Sequence, residues 1–293
     1  MNQPTLSICI PTYNRAKYIG DCLESVVSQF EDKNICDQME IVISDNGSTD
    51  DTSLVIKAYT DKWSNIKYFK NEINIGFDRN ILQVVEKSSG MYCLPIGDDD
   101  AFFPGSFSIL LQKLAFYKKP YYLLNGWGYD HELMHPIVSH PNRQVKEDRV
   151  YGSLAEFVRS ISNYTDLVGN FGSMSHLFNR EMWLRFDKAK DYIGTQTVHL
   201  YIVLTVFKNE SCALIAEPVI KTRNDNMRWD SFPGLEKGVN RAMLTAKGVM
   251  WISDLYDLSL STRKVTFHFL VRAYWISFKE FVKKILFGLG LRK

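Results

Sequence analysis

Met91-Tyr92-Cys93-Leu94-Pro95-Ile96-Gly97-Asp98-Asp99-Asp100 runs an apolar segment directly into a glycine and three aspartates. The apolar part reads as a buried strand, and open α/β sheets place their ligands just beyond the carboxyl ends of such strands. Three adjacent carboxylates repel one another. A hard divalent cation with oxygen ligands, Mn²⁺ or Mg²⁺, relieves that repulsion and can also bridge phosphates. A solvated acidic turn with Asp100 capping a helix is the alternative for the triplet alone.

Upstream, the pattern alternates strand and helix. Leu6–Ile10, Glu40–Ser44 and Ile66–Phe69 read as strands, and Tyr18–Gln29, Asp50–Tyr59 and Asp78–Lys87 as helices, with Thr49 or Asp50 as an N-cap. This order predicts an α/β fold with a mostly parallel sheet flanked by helices. Downstream, Pro104–Tyr117 reads as a helix, Tyr121–Leu124 and Ala213–Ile220 as strands, and the polar Asp130–Arg149 as a loop or insertion. Two further turns would meet the acidic one at the same sheet edge: Pro11-Thr12-Tyr13-Asn14-Arg15 after the first strand, and Ser44-Asp45-Asn46-Gly47-Ser48-Thr49-Asp50 after the second.

The chain has 293 residues, of which 35 are Lys or Arg and 33 are Asp or Glu, so no global field argues for nucleic acid. Its five cysteines are irregularly spaced and lie mostly in apolar runs, which suits reduced core thiols. Leu6–Ile10 is too short for the apolar core of a signal peptide, and no stretch reaches the roughly 18 to 20 apolar residues of a membrane span. A cytoplasmic protein is expected. Val265–Phe287 has no Gly or Pro and carries Arg272, Lys279, Lys283 and Lys284 among apolar residues at helical spacing. Such a basic amphipathic helix suits packing on the catalytic domain or peripheral contact with the inner face of the plasma membrane.

In this order, strand-Pro11-Thr12-Tyr13-Asn14-Arg15, strand-Ser44-Asp45-Asn46-Gly47-Ser48-Thr49-Asp50, Asn74-Ile75-Gly76-Phe77-Asp78-Arg79-Asn80 and strand-Gly97-Asp98-Asp99-Asp100 resemble the family 2 glycosyltransferases of GT-A fold. The resemblance covers about residues 5 to 120. Asn74–Asn80, Asp191-Tyr192-Ile193-Gly194-Thr195 and Arg223-Asn224-Asp225-Asn226 are further similar to O-antigen deoxysugar transferases of the abequosyltransferase type.

The resemblance implies that Pro11, Thr12 and Tyr13 line the nucleotide base, that Asp45 accepts a hydrogen bond from it, that Arg79 closes its pocket and that Arg15 lies near the ribose or diphosphate. For the metal it leaves two registers: Asp98 with Asp100, or Asp99 as main ligand with Asp98 nearer the ribose. The family's usual inverting base sits in a Glu-Asp pair before a helix in the second half; Glu147-Asp148, the pair present there, lies in the polar segment Asp130–Arg149 expected as a loop. Asp191 and His199 are the candidates that remain, and a retaining mechanism would need neither. Arg223, after a predicted strand, could pair with the diphosphate or be a surface arginine. His176 could face the acceptor or be structural, and the segment Asn224–Gly238, with Trp229 and Phe232, has the composition of a lid or of a packed connection.

The expected organisation is a nucleotide-sugar-binding half over residues 1–125, an acceptor-binding half over 126–240 and a basic helical region over 241–293. The expected activity is metal-dependent transfer of a hexose or deoxyhexose from a nucleotide diphosphate sugar to a lipid-linked oligosaccharide in bacterial surface polysaccharide synthesis. A noncatalytic nucleotide-sugar-binding protein of the same fold is the alternative. A sugar nucleotidyltransferase would need a Gly-rich loop where Pro11–Arg15 has none.

Overall fold

The structure is a computed structural model that describes residues 3–141, 145–161, 176–224 and 256. The chain divides into two compact units, Met1–Phe157 with Gly169–Asn226, and Val158–Val168 with Met227–Lys293. In the second, the Arg159 guanidinium donates to the Tyr256 carbonyl at 3.3 Å. The Val265–Phe287 helix and residues 225–238 of the lid segment lie outside the described residues.

The first unit opens with the expected alternation: β1 (Leu6–Thr12), α1 (Ile19–Val27), α2 (Lys33–Cys36), β2 (Met39–Asp45), α3 (Thr52–Thr60), β3 (Ile66–Lys70), α4 (Phe77–Lys87) and β4 (Tyr92–Pro95). Then come β5 (Ala101–Phe102), α5 (Ser106–Tyr117), β6 (Tyr121–Tyr129), β7 (Pro136–Pro141), β8 (Arg149–Tyr151) and α6 (Leu154–Ser160). After residue 175 the chain forms β9 (His176–Asn179), α7 (Arg180–Leu184), a 3-10 turn (Asp187–Tyr192), α8 (Val198–Val206) and β10 (Cys212–Arg223).

The strands form one sheet in the order β3-β2-β1-β4-β9-β6-β10-β5, with β7 on β6 and β8 on β10. The pairs β1–β2, β2–β3, β1–β4 and β6–β10 are parallel. β9 runs antiparallel to both β4 and β6, so β6 and β10 point the same way as β1. The fold class is α/β as expected, with the parallel character concentrated in the first four strands of that order.

β1 and β2 are buried along their whole length, as strands covered on both faces must be. Ile43 joins a core with Ile19, Leu23 and Val26 of α1 and Phe107 and Leu110 of α5. Its neighbour Ser44 points the other way, where its hydroxyl donates to Asn80 of α4 at 2.7 Å.

Two local expectations change. The predicted loop Asp130–Arg149 contains β7, because β6 continues past the end of β9 and β7 pairs with that extension at Trp127 and Tyr129. The helix expected from Asp50 begins at Thr52 with Asp51 at its cap position, and Asp50 instead reaches forward, its carboxylate accepting from the Thr52 amide at 3.1 Å. Among the described residues no helix is long and apolar enough to cross a membrane.

Candidate active site at the strand ends

Because β1, β2, β4, β6 and β10 share one direction, Thr12, Asp45, Ile96, Tyr129 and Arg223 come to the same edge of the sheet. The first two turns are stitched to each other. Asn14, at φ 53°, donates its amide to Ser48 Oγ at 2.9 Å and accepts from the Thr49 amide at 2.8 Å. The Arg15 amide donates to Thr52 Oγ1 at 2.8 Å and that of Ala16 to Asp50 at 3.1 Å. Gly47 is required here twice over: its φ is 77°, and a Cβ would stand 2.9 Å from the Ile73 carbonyl carbon.

Pro11 and Thr12 are buried, while Tyr13 is 39% exposed at the rim. Asp45 is wholly buried beneath them. Its Oδ1 accepts from the Ser48 amide at 2.8 Å and its Oδ2 from the Tyr68 hydroxyl at 2.7 Å, so protein groups already engage both oxygens.

The acidic triplet lies beside Arg15, whose Nε is 3.3 Å from Asp98 Oδ1 and whose Nη2 is 3.7 Å from Asp99 Oδ2. Arg15 Nη1 is buried and has no hydrogen-bond partner. Burial first, then the charge of Asp99, pushes the Asp98 carboxyl up to about 7, against the pull of Arg15, Thr12 and the Tyr13 amide. The same two causes push Asp100 well above the ordinary carboxylate range, although it accepts from the Arg223 amide at 2.9 Å. The two carboxylates fold back over Gly97: a Cβ there would lie 2.8 Å from Asp99 Oδ1 and 3.0 Å from Asp100 Oδ2, so a side chain at this position would turn them aside.

Arg223 is brought to the triplet, but its guanidinium is engaged by the protein. Nε donates to the Asp99 carbonyl at 2.8 Å, Nη2 to Asp21 Oδ2 at 2.6 Å, and Nη1 to the His131 carbonyl. The Tyr18 ring lies against it, 5.1 Å from the guanidinium carbon, and the hydroxyl of Tyr18 meets His131 Nε2 at 3.1 Å.

A second network joins the Asn74–Asn80 motif to the edge. Asn46 donates to Asn74 Oδ1 at 2.7 Å and accepts from the Ile75 amide at 2.9 Å. Arg79 stands exposed in the first turn of α4. Asp78, which sequence reasoning passed over although it lies inside the motif, is buried and turns the opposite way. It accepts from the amides of Gly194 at 2.7 Å, Gln196 at 2.8 Å and Val198 at 3.3 Å. It therefore holds the turn that leads into α8 together with the helix's first amide, and the residue at the helix's own cap position, Thr197, makes no side-chain cap.

His199 sits in the first turn of α8, its ring edge-on to Phe77 at 5.8 Å. Its Nδ1 is buried without a hydrogen-bond partner, and burial pushes the imidazole down to about 4. Asp191 is exposed on the 3-10 turn. His176 is buried in β9, with its Nδ1 2.6 Å from the Tyr121 hydroxyl, a packing position.

Among the described residues no three His, Cys, Asp or Glu side chains converge as a complete metal cluster. A Mg²⁺ or Mn²⁺ ion that shares its coordination with substrate phosphates needs only one or two protein carboxylates, however. Asp99 and Asp100, with oxygens folded back over Gly97 in a site of surplus negative charge, fit that donor set.

Residues 7–172 match the family described as Glycosyl transferase family 2. Abequosyltransferase RfbV of Salmonella typhimurium is 33% identical over 267 residues, which are 88% of this chain and 78% of that protein. The GalNAc(5)-diNAcBac-PP-undecaprenol beta-1,3-glucosyltransferase of Campylobacter jejuni is 33% identical over 112 residues, 38% of this chain and 34% of its own.

Among solved structures, S. aureus TarS 1-349 in complex with UDP-GlcNAc superposes with a TM-score of 0.61 at 16% identity, over 84% of this chain and 66% of that one. Mannosyltransferase PcManGT from Pyrobaculum calidifontis, in complex with GDP-Man and Mn²⁺, gives 0.50 at 12% identity, over 86% and 64%. The chain thus spans about two thirds of the length of these solved chains, and at such identities the likeness is one of fold. The family match begins in β1, takes in all three turns of the strand-end edge, and is accompanied by near full-length kinship to RfbV, so the chain belongs to glycosyl transferase family 2.

Proposed function

We propose that the chain transfers a hexose or deoxyhexose from a nucleotide diphosphate sugar to a lipid-linked oligosaccharide, with Mn²⁺ or Mg²⁺ at the acidic triplet, on the cytoplasmic face of a bacterial membrane. The names of the two relatives, an abequosyltransferase and a glucosyltransferase of an undecaprenol-linked acceptor, support this place in surface polysaccharide synthesis. Residues 1–125 are assigned to the donor, 126–240 to the acceptor and 241–293 to membrane contact.

The observation that carries the reading is Arg15. Its buried Nη1 has no partner although two carboxylates lie against the same guanidinium, so a donor is left for an anion arriving at the edge of β1 and β4. Pro11, Thr12 and Tyr13 present the end of β1 to the base, and Arg79 is placed on the exposed rim. Asp45, already engaged at both oxygens, acts by holding the second turn in shape, and a base would share an oxygen that Ser48 or Tyr68 also uses.

Asp99 and Asp100 would hold the cation, with Asp98 nearer the ribose; bound there, the cation would neutralise the charge that develops on the diphosphate leaving group. For an inverting outcome Asp191 is the exposed candidate base and His199 the other, although burial pushes its imidazole down to about 4 and so weakens it as a proton acceptor.

The test is calorimetric titration of UDP, CDP, GDP and dTDP, each with and without Mn²⁺, into the wild type and Asp99→Ala. One nucleotide is expected to bind with metal and to lose that dependence in the variant. Binding that ignores both metal and Asp99, or no binding at all, overturns the reading.

A further inference from the structure

Two arginines stand at the acidic triplet and do different work. Arg15 approaches the carboxylates through longer contacts and keeps one buried nitrogen without a partner. Arg223 has a side chain only 2% exposed, and it directs each of its three nitrogens to a protein acceptor. Those acceptors come from α1 (Asp21), from the acidic turn (the Asp99 carbonyl) and from the turn after β6 (the His131 carbonyl), and Tyr18 covers one side.

The contact with the Asp99 carbonyl matters most. That oxygen belongs to the planar Asp99–Asp100 peptide, so holding it fixes the orientation of the unit from which both side chains project. The Arg223 backbone amide meanwhile holds Asp100 Oδ1. Side chain and main chain of one residue therefore grip the turn at two points, 123 and 124 positions away in sequence.

We propose that Arg223 is a positioning residue that holds the acidic turn in its cation-accepting shape and does not itself bind the diphosphate. This rests on the donor-site reading above, but the hold on the turn can be tested without any metal. Moving the guanidinium to a phosphate would leave the Asp99 and His131 carbonyls and Asp21 to find other partners, whereas Arg15 Nη1 has nothing to give up. The division is between an arginine that shapes the site and one that meets the ligand.

Amide hydrogen exchange of the metal-free full chain, wild type against Arg223→Gln, reads the hold directly. Protection over residues 98–102 is expected to fall about tenfold or more while β1 and β2 exchange as in the wild type. Mn²⁺ alone, followed by electron paramagnetic resonance, is expected to bind about tenfold more weakly, while nucleotide affinity in EDTA stays within about twofold.

Asp21→Asn removes only the charge of the exposed partner and leaves the buried arginine in place. It should move both readouts the same way by a smaller factor, which keeps the test open if Arg223→Gln fails to fold. Unchanged exchange in the turn, or a loss confined to nucleotide affinity, overturns the proposal. A wild type that binds no Mn²⁺ overturns the metal reading instead, and the exchange arm still decides whether Arg223 holds the turn.

Discussion

Burial acts with opposite sign on Asp98 and on His199. It pushes Asp98 up to about 7 and His199 down to about 4, because the charged form loses water that protein groups replace only in part at Asp98, where Asp99 adds its repulsion, and not at His199. For His199 the folded value lies below the unfolded one of 6.5, so the unfolded chain takes up the proton first as the pH falls. The stability contributed by the neutral ring is full above 6.5 and is lost between 6.5 and 4. We expect the His199 ring resonances to show no titration above about pH 5. We also expect the wild type to lose at most about 2 kcal/mol of stability between pH 6.5 and 5 through this group, a loss that His199→Gln removes. A ring that titrates near 6.5 would mean that His199 is solvated. For Asp98 the sign reverses, since a raised acid loses its contribution as the pH rises toward 7. The His199 share must therefore be taken as the difference between variant and wild type.

At the scale of elements, the periodic ones were readable and the short ones were not. Ile19, Cys22, Leu23, Val26 and Val27 announce α1 by their spacing, and all are buried in it. β5 has two residues and exists because Ala101 and Phe102 pair with Lys221 and Ile220 of β10, partners more than a hundred positions away. Its own residues carry no pattern to read. α8 shows the same dependence, for the turn leading into it and its first amide, that of Val198, take their acceptor from Asp78 across 116 to 120 positions. Asp78→Ala should leave those amides without an acceptor and cost about 2 to 4 kcal/mol in chemical denaturation, with faster exchange over residues 194–198. Asp78→Asn, which retains one carbonyl oxygen, should cost less. Equal stability of Asp78→Ala and wild type would show that water replaces the carboxylate.

For the whole molecule, the basic residues Arg272, Lys279, Lys283 and Lys284 belong to the part of the chain for which sequence alone speaks. The full chain is expected to co-sediment with vesicles containing an anionic phospholipid, to release them at high salt, and to bind neutral vesicles weakly; Lys283→Glu with Lys284→Glu should abolish the anionic preference. Equal partition onto both kinds of vesicle, or onto neither, would assign that helix to packing instead. The order of the strands and helices up to the acidic turn, the sheet edge carrying three polar turns and the family were all legible in the sequence, because burial of alternating apolar segments and turn chemistry are local properties. The sequence also placed Arg15 near Asp98, Asp99 and Asp100, since all follow strands, and left Arg223 open between the diphosphate and the surface. Only the tertiary structure decided that Arg223 faces protein carbonyls while Arg15 keeps one buried nitrogen without a partner, that Asp45 is already hydrogen-bonded, and that Asp78 reaches the turn leading into α8. Those assignments depend on which partners lie within about 3 Å of a side chain, and residues far apart in sequence become neighbours only once the sheet has closed.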